Sequence, residues 1–428
     1  MTADRCEGLR ARLSGWTVKV LPHVALAALV TAATVSCATS SSVQDGASGS
    51  SATGTSAPGP KAALAATATS DSSAVAAPAS ASAARAAEAE TFRFADLVND
   101  LSEPDTYFFS DNIISNETSF LQPAEALAAR SDPSSVYIGV GPEQNFTYIA
   151  LTKPSVAFVV DIRRANMLLQ LLYRAAFEEA NDRAQFLALL LGRPLPEAGA
   201  LDAKAGISDV VSAATKSAGT KASFEDAQAK LMKRIDGYGV KLGDEDKKGI
   251  AKMHAVFHKE GIDVRFELHE KNGRLYPTLR ELLDTTSPSG KTGSFLATDE
   301  SFRFLQTMQR AGRIVPVVGD FAGNHALPQL ASYLKSDKLS VSTFYVSNVE
   351  QYLLEPKVWK NWVRNVKALP KTDDAVFIRA YLDQGRKHPK QMKGHRTATV
   401  LSKMSDFESS FGEKDTTTFF TLCTDKNL

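Results

Sequence analysis

The stretch Val136-Tyr137-Ile138-Gly139-Val140-Gly141-Pro142-Glu143-Gln144-Asn145, followed by Ala157-Phe158-Val159-Val160-Asp161, constrains this chain more than any other feature. A short apolar run enters a Gly-x-Gly turn, a helical pattern begins at Pro142, and a second apolar run ends on a carboxylate. Those parts in that order open a nucleotide-binding βαβ unit. Glycines allow a tight turn whose backbone approaches a ligand. Asp161, at the carboxyl end of the second strand, can accept both hydrogens of a ribose diol.

The alternation continues downstream. Leu168, Leu171, Leu172, Ala175 and Ala176 recur at helical spacing, predicting a helix over 162–191 that Gly192-Arg193-Pro194 stops. From about 195 to 295 the chain is more polar, with helical stretches at 224–238 and 244–259 and an expected hairpin over 264–275 around Asn272-Gly273. This block reads as an insertion between the second and third strands. A helix over 300–310 leads to a strand over 313–318 ending in Gly319-Asp320-Phe321, and a helix over 327–334 leads to a strand over 339–346 ending in Ser347-Asn348-Val349-Glu350. A helix containing Trp359 and Trp362 and a strand over 374–381 follow, with two further edge strands expected at 397–402 and 416–423. The expected class is α/β, a doubly wound, mainly parallel Rossmann-like sheet covered on both faces. Right-handed crossovers then line the carboxyl ends of the strands along one rim, where ligands sit.

Over 136–381, apart from the insertion, these rim residues resemble the class I S-adenosylmethionine-dependent methyltransferase fold. The resemblance implies that Gly139 and Gly141 hold the amino-acid part of S-adenosylmethionine, Asp161 the ribose and Asp320 the adenine amine. By position, Glu143 and Asn145 join the cofactor turn, and Asn348 with Glu350 faces the reacting group, Glu350 as the general base. Tyr137 stands where the family has an acid, and Glu143 where it has a third glycine. In a dinucleotide fingerprint the last glycine corresponds to Gln144, and Glu143 in the first helical turn would repel a pyrophosphate. S-adenosylmethionine carries no phosphate, and its ammonium suits Glu143. The wording of 111–120, 137–164, 319–321 and 345–350 also resembles an uncharacterised family of bacterial Rossmann-like proteins known from spirochaetes, which implies a fold and no activity.

Ahead of the first strand, Asp111, Asn112, Asn116 and Glu117 lie between the aromatic residues Tyr107, Phe108, Phe109 and Phe120. Two readings stay open, a helix cap or a lid over the Gly-x-Gly turn. The extreme N-terminus has Arg5, Arg10, Arg12 and Lys19 before an apolar run from Val20 to Val35, which reads as an export signal. Thr34-Val35-Ser36-Cys37 resembles a bacterial lipobox, with Cys37 as the lipid-bearing residue; a plainly cleaved signal and an over-extended start are the alternatives. Residues from about 38 to 87 are almost entirely Ala, Ser, Thr, Gly and Pro, and 38–90 is expected to be a disordered tether. The expected location is the cell envelope, lipid-anchored or periplasmic, or the cytoplasm if the export signal is misread.

Of the three cysteines only Cys423 falls in the globular region, which leaves no internal disulfide there and no cysteine-based metal site. No metal is expected. The formal charge is +1 with acids and bases interspersed, so the overall balance makes no case for nucleic acid. His254 and His258 share a helix face, but Ala255 stands where a zinc protease needs glutamate. Gly290-Lys291-Thr292 lacks the earlier glycine and the strand of a phosphate loop, and no Gly-x-Ser-x-Gly elbow is present. Two functions remain. One is methyl transfer from S-adenosylmethionine to an unknown acceptor. The other is a non-catalytic envelope lipoprotein that binds a small molecule or partner at the same rim.

Overall fold

The computed structural model describes residues 93–428 apart from 107, 109, 111, 269–274, 384 and 412–416. The export signal, Cys37, the tether, Asp111 and the Asn272-Gly273 turn lie outside the described residues.

Helix α1 (93–101) and the short α2 (Ala124–Ala128) precede the sheet. The first βαβ unit is β1 (Val136–Gly139), α3 (Gln144–Thr152) and β2 (Val156–Asp161). The helix expected after Asp161 is two helices, α4 (Arg164–Glu179) and α5 (Arg183–Leu190). It breaks because Asp182 accepts from the Gln185 N–H as an N-cap, an alternative partner that aspartate offers a new helix start. Helices α6 (Ile207–Thr215), α7 (Lys221–Asp236), α8 (Asp244–Glu260) and α9 (Leu279–Leu283) follow, then α10 (Asp299–Arg310). The sheet resumes with β3 (Ile314–Val318), α11 (Ala326–Ser336), β4 (Val341–Ser347), α12 (Pro356–Ala368), β5 (Lys371–Leu382) and β6 (Thr397–Lys403), and α13 (Met404–Phe411) and α14 (Phe419–Thr424) close the fold.

The six strands lie in the order β3-β2-β1-β4-β5-β6. The first five run parallel, and β6 runs antiparallel to β5. The expected strand at 416–423 is instead α14. Its threonines and phenylalanines suit a strand by propensity, but Thr418 accepts from the Thr421 N–H and caps a helix. β1, β2 and β3 are near-continuous apolar runs, as strands covered on both faces require. Pro316 is tolerated inside β3 because β3 is an edge, where no neighbour needs its missing N–H. That edge is partly closed: the Glu103 N–H donates to the Val318 carbonyl at 2.9 Å, and the Val318 N–H donates to Ser102 Oγ at 3.1 Å.

The inserted helices α7 and α8 pack on α4, which packs on β2 and β3. His254 and His258 on α8 are packed residues: their ring nitrogens meet the Leu189 and Leu191 carbonyls at 2.9 and 3.2 Å. They thus engage carbonyls at the C-terminal end of α5 that have no intrahelical partner. Elsewhere, Trp362 stacks on Phe321 and meets Phe344 edge-on, with ring centroids 5.4 and 5.7 Å apart. Among the described residues no helix is long and apolar enough to cross a membrane.

Candidate functional site

Strand order 3-2-1-4 puts the topological switch between β1 and β4, and a ligand in such a sheet binds outside the carboxyl ends of those strands. The Gly-x-Gly turn follows β1 as expected. Gly141 adopts φ 83°, a conformation that favours glycine. The space beside Gly139 is filled, since a Cβ added there would lie 1.9 Å from Asn145 Oδ1 and 2.7 Å from the Tyr137 hydroxyl. Tyr137 donates to Asn145 Oδ1 at 2.9 Å, and Asn145 Nδ2 donates to the Val140, Gly141 and Pro142 carbonyls at 3.0, 3.1 and 2.9 Å. Both side chains are fully buried, so Asn145 braces the turn from inside.

Glu143 is the N-cap residue of α3 and is buried, turned toward the segment before β1. Both its oxygens accept from the Ser115 N–H at 3.1 Å. Burial pushes its pKa up to about 7, and the nearby Glu117 carboxylate adds to the rise.

Residues 112–122 form a strap across the carboxyl ends of β1 and β4. Glu117 sits at its centre, buried, accepting from Gln144 Nε2 at 2.8 Å, Tyr345 OH at 2.8 Å and the Ser347 hydroxyl. Burial raises its pKa against those three donors. The strap is pinned along its length. The Tyr173 and Tyr148 hydroxyls donate to the Ile113 and Phe120 carbonyls at 3.0 and 3.1 Å, and the Ser119 N–H donates to Thr397 Oγ1 at 3.1 Å. Asn112 and Asn116 are only partly buried. Beside Glu143 and Gln144, under Phe120 and Phe295, a cavity of about 10 Å3 remains, room for one water.

Asp161 ends β2 as expected, and Arg163 occupies it. Arg163 Nε lies 3.1 Å from Oδ1 and Nη2 3.0 Å from Oδ2, and the Arg163 N–H adds a third bond at 2.9 Å. The same guanidinium reaches the Ser110 and Asn112 carbonyls, each at 3.3 Å, and so ties β2 to the strap. Asp320 follows β3, where its Oδ1 accepts from the Ala322 N–H at 2.9 Å and shapes the turn. Glu350 is fully buried in a pair with Arg379, Nη2 to Oε1 at 3.0 Å, and also accepts from Trp362 Nε1 at 3.1 Å. Asn348 is partly exposed and accepts from Ser347 Oγ at 3.3 Å. Among the described residues no cluster of histidine, cysteine, aspartate or glutamate is arranged to hold a metal.

The strand-end residues named from sequence therefore do come to one rim. There they meet partners that sequence reading missed: Arg163, Arg379, Gln144 and Tyr345. Arg163 was the most accessible of these, because an arginine two residues after a strand-end aspartate can fold back on it. Arg379 lies on β5, a strand away from Glu350, and leaves no local signal.

Residues 112–425 match a family described as a domain of unknown function, DUF7790. The chain belongs to that family. The DUF7790 match begins within the strap and runs through β6 to α14, so the strap and every strand it covers fall inside one family domain. No curated protein matches the chain.

Proposed function

We propose that this DUF7790 protein is a membrane-anchored, non-catalytic binding module, whose Rossmann-like rim is occupied by its own side chains. The observation that carries this reading is the Arg163–Asp161 pair. A ribose diol needs the aspartate oxygens as free acceptors, and here both are held by a buried guanidinium of the same chain. Asn145 in the Gly139 space and Glu117 in the β1–β4 crevice support it. Glu350 is buried and both its oxygens already accept from the Arg379 guanidinium, which disfavours a role as general base. Anchoring follows from Cys37 and the tether, and mass spectrometry of the mature N-terminus checks it.

Within the coarse α/β class, the antiparallel β6 favours a methyltransferase-type sheet over two parallel nucleotide-binding halves. Methyl transfer remains the competing function. One observation favours it: Ser347, at the end of β4 where the reacting group would lie, is held at φ 50°, a conformation more common at functional sites than elsewhere. In that reading S-adenosylmethionine enters once the strap lifts, and Asn348 faces the acceptor.

Isothermal titration of S-adenosylmethionine and S-adenosylhomocysteine into the full chain separates the two. The binding-module reading expects no saturable heat at millimolar ligand from protein that melts cooperatively. Saturable binding that Asp161→Ala abolishes would overturn it and establish a cofactor user.

A further inference from the structure

The connection from β5 to β6 leaves the sheet on the same rim as the strap. Between Asp383 and Asp406 it carries no acidic residue, while Arg386, Lys387, Lys390, Lys393 and Arg396 fall within it. All five cations are exposed, and none meets an aspartate or glutamate side chain among the described residues. The overall charge of +1 hides this concentration, because acids elsewhere cancel it.

The loop is also held in place. Buried His388 meets the Cys423 carbonyl through Nε2 at 2.7 Å and accepts the Lys390 N–H at Nδ1 at 3.0 Å, so Nε2 carries the proton of a neutral ring. Tyr381 OH donates to the Arg386 carbonyl at 2.9 Å, Gln391 Nε2 to the His395 carbonyl at 2.8 Å, and Gln122 Nε2 to the Lys390 carbonyl at 2.7 Å. The Arg386 guanidinium stands over the Phe420 ring, 3.4 Å from its centroid. Lys390 Nζ reaches the Leu428 carbonyl at 2.7 Å. A backbone fixed at these points presents its cations with little ordering cost on contact.

We propose that the β5–β6 loop is a docking surface for an anionic phospholipid bilayer. The choice of a bilayer over other polyanions rests on the anchored-module reading above. A chain tethered to a membrane samples that membrane at high effective concentration, so a weak contact becomes occupied. Each exposed Lys or Arg near an anionic leaflet strengthens binding roughly fivefold. Base stacking has no platform here, because no aromatic side chain stands exposed among the described residues and Phe420 lies under Arg386.

The test is sedimentation of the full chain with vesicles of phosphatidylcholine alone or mixed equally with phosphatidylglycerol, against K387E/K390E/K393E. The expected result is binding to the anionic vesicles that falls as salt rises. The variant should lose that binding on the order of a hundredfold or more and melt at the wild-type temperature. Equal binding to both vesicles, or an unchanged variant, overturns the proposal. So does tight binding to a DNA duplex with none to vesicles, which would assign the loop to nucleic acid. Vesicle binding by a chain whose Cys37 bears no lipid in its native host would remove the anchor and leave the docking surface. A lipidated Cys37 without vesicle binding would do the reverse.

Discussion

Arg163 holds both oxygens of Asp161 from only two residues away, and its remaining nitrogen reaches back to the strap carbonyls at Ser110 and Asn112. One guanidinium thus closes the ribose position and fastens the segment that covers the rim. Arg163→Met leaves Asp161 buried without a cation, which costs about 3–5 kcal/mol. Urea denaturation should show that loss, and Asp161→Asn combined with Arg163→Met should restore most of it. A single variant as stable as wild type would mean that the pair does not form.

Asn145 and Gly139 compete for one volume. Gly139→Ala should cost about 1–3 kcal/mol through overpacking. In an Asn145→Ala background the same change should cost clearly less. A double-mutant cycle with no coupling would mean that Asn145 does not occupy the space.

The carboxyl of Glu143 is raised from its ordinary 4.5 to about 7 by burial, so the folded state favours the neutral form. Its contribution is fully present below pH 4.5, is lost progressively as pH rises toward 7, and is constant above. This one contribution should fall by about 3 kcal/mol across that window. Glu117, shifted in the same direction, adds to the fall. Glu143→Gln should flatten the profile measured by urea titration at stepped pH, and an identical slope in the variant would rule out this source.

His254 acts with the opposite sign. Burial lowers its pKa from 6.5 to about 4. Its contribution is complete above 6.5 and is lost as pH falls toward 4. Protonation would put a cation between α8 and the end of α5. In thermal melts the stability of wild type relative to His254→Gln should fall as pH drops through this range, whichever way the two absolute profiles run, because the Glu143 contribution is common to both.

Glu350 and Arg379 are both buried, at 0% and 1% side-chain exposure. Arg379→Met alone should cost about 3–5 kcal/mol, whereas Glu350→Leu with Arg379→Met should come close to wild type. Chemical denaturation of the three variants decides between a structural pair and a residue kept for chemistry. If the double variant stays as unstable as the single, the site is more than an ion pair.

The strand ends were legible in the sequence because apolar runs and the residues that stop them are local. Gly139, Asp161, Asp320 and Glu350 fall on the rim where the alternation puts them. Their chemical state was not legible, because it depends on partners brought close by folding. Glu117 meets Tyr345 and Ser347 from far along the chain, and Arg379 reaches Glu350 across a strand boundary. The basic loop was visible as letters but was averaged away by a near-zero total charge. At the end of the chain residue type favours a strand, whereas the Thr418 cap secures a helix.

At the β3 edge, Pro316 offers no N–H and Val318 already has both backbone groups engaged by residues 102 and 103. A strand arriving from a neighbouring copy would find too few open positions to zip onto. Copies gathered at high density can therefore lie side by side without pairing through β3.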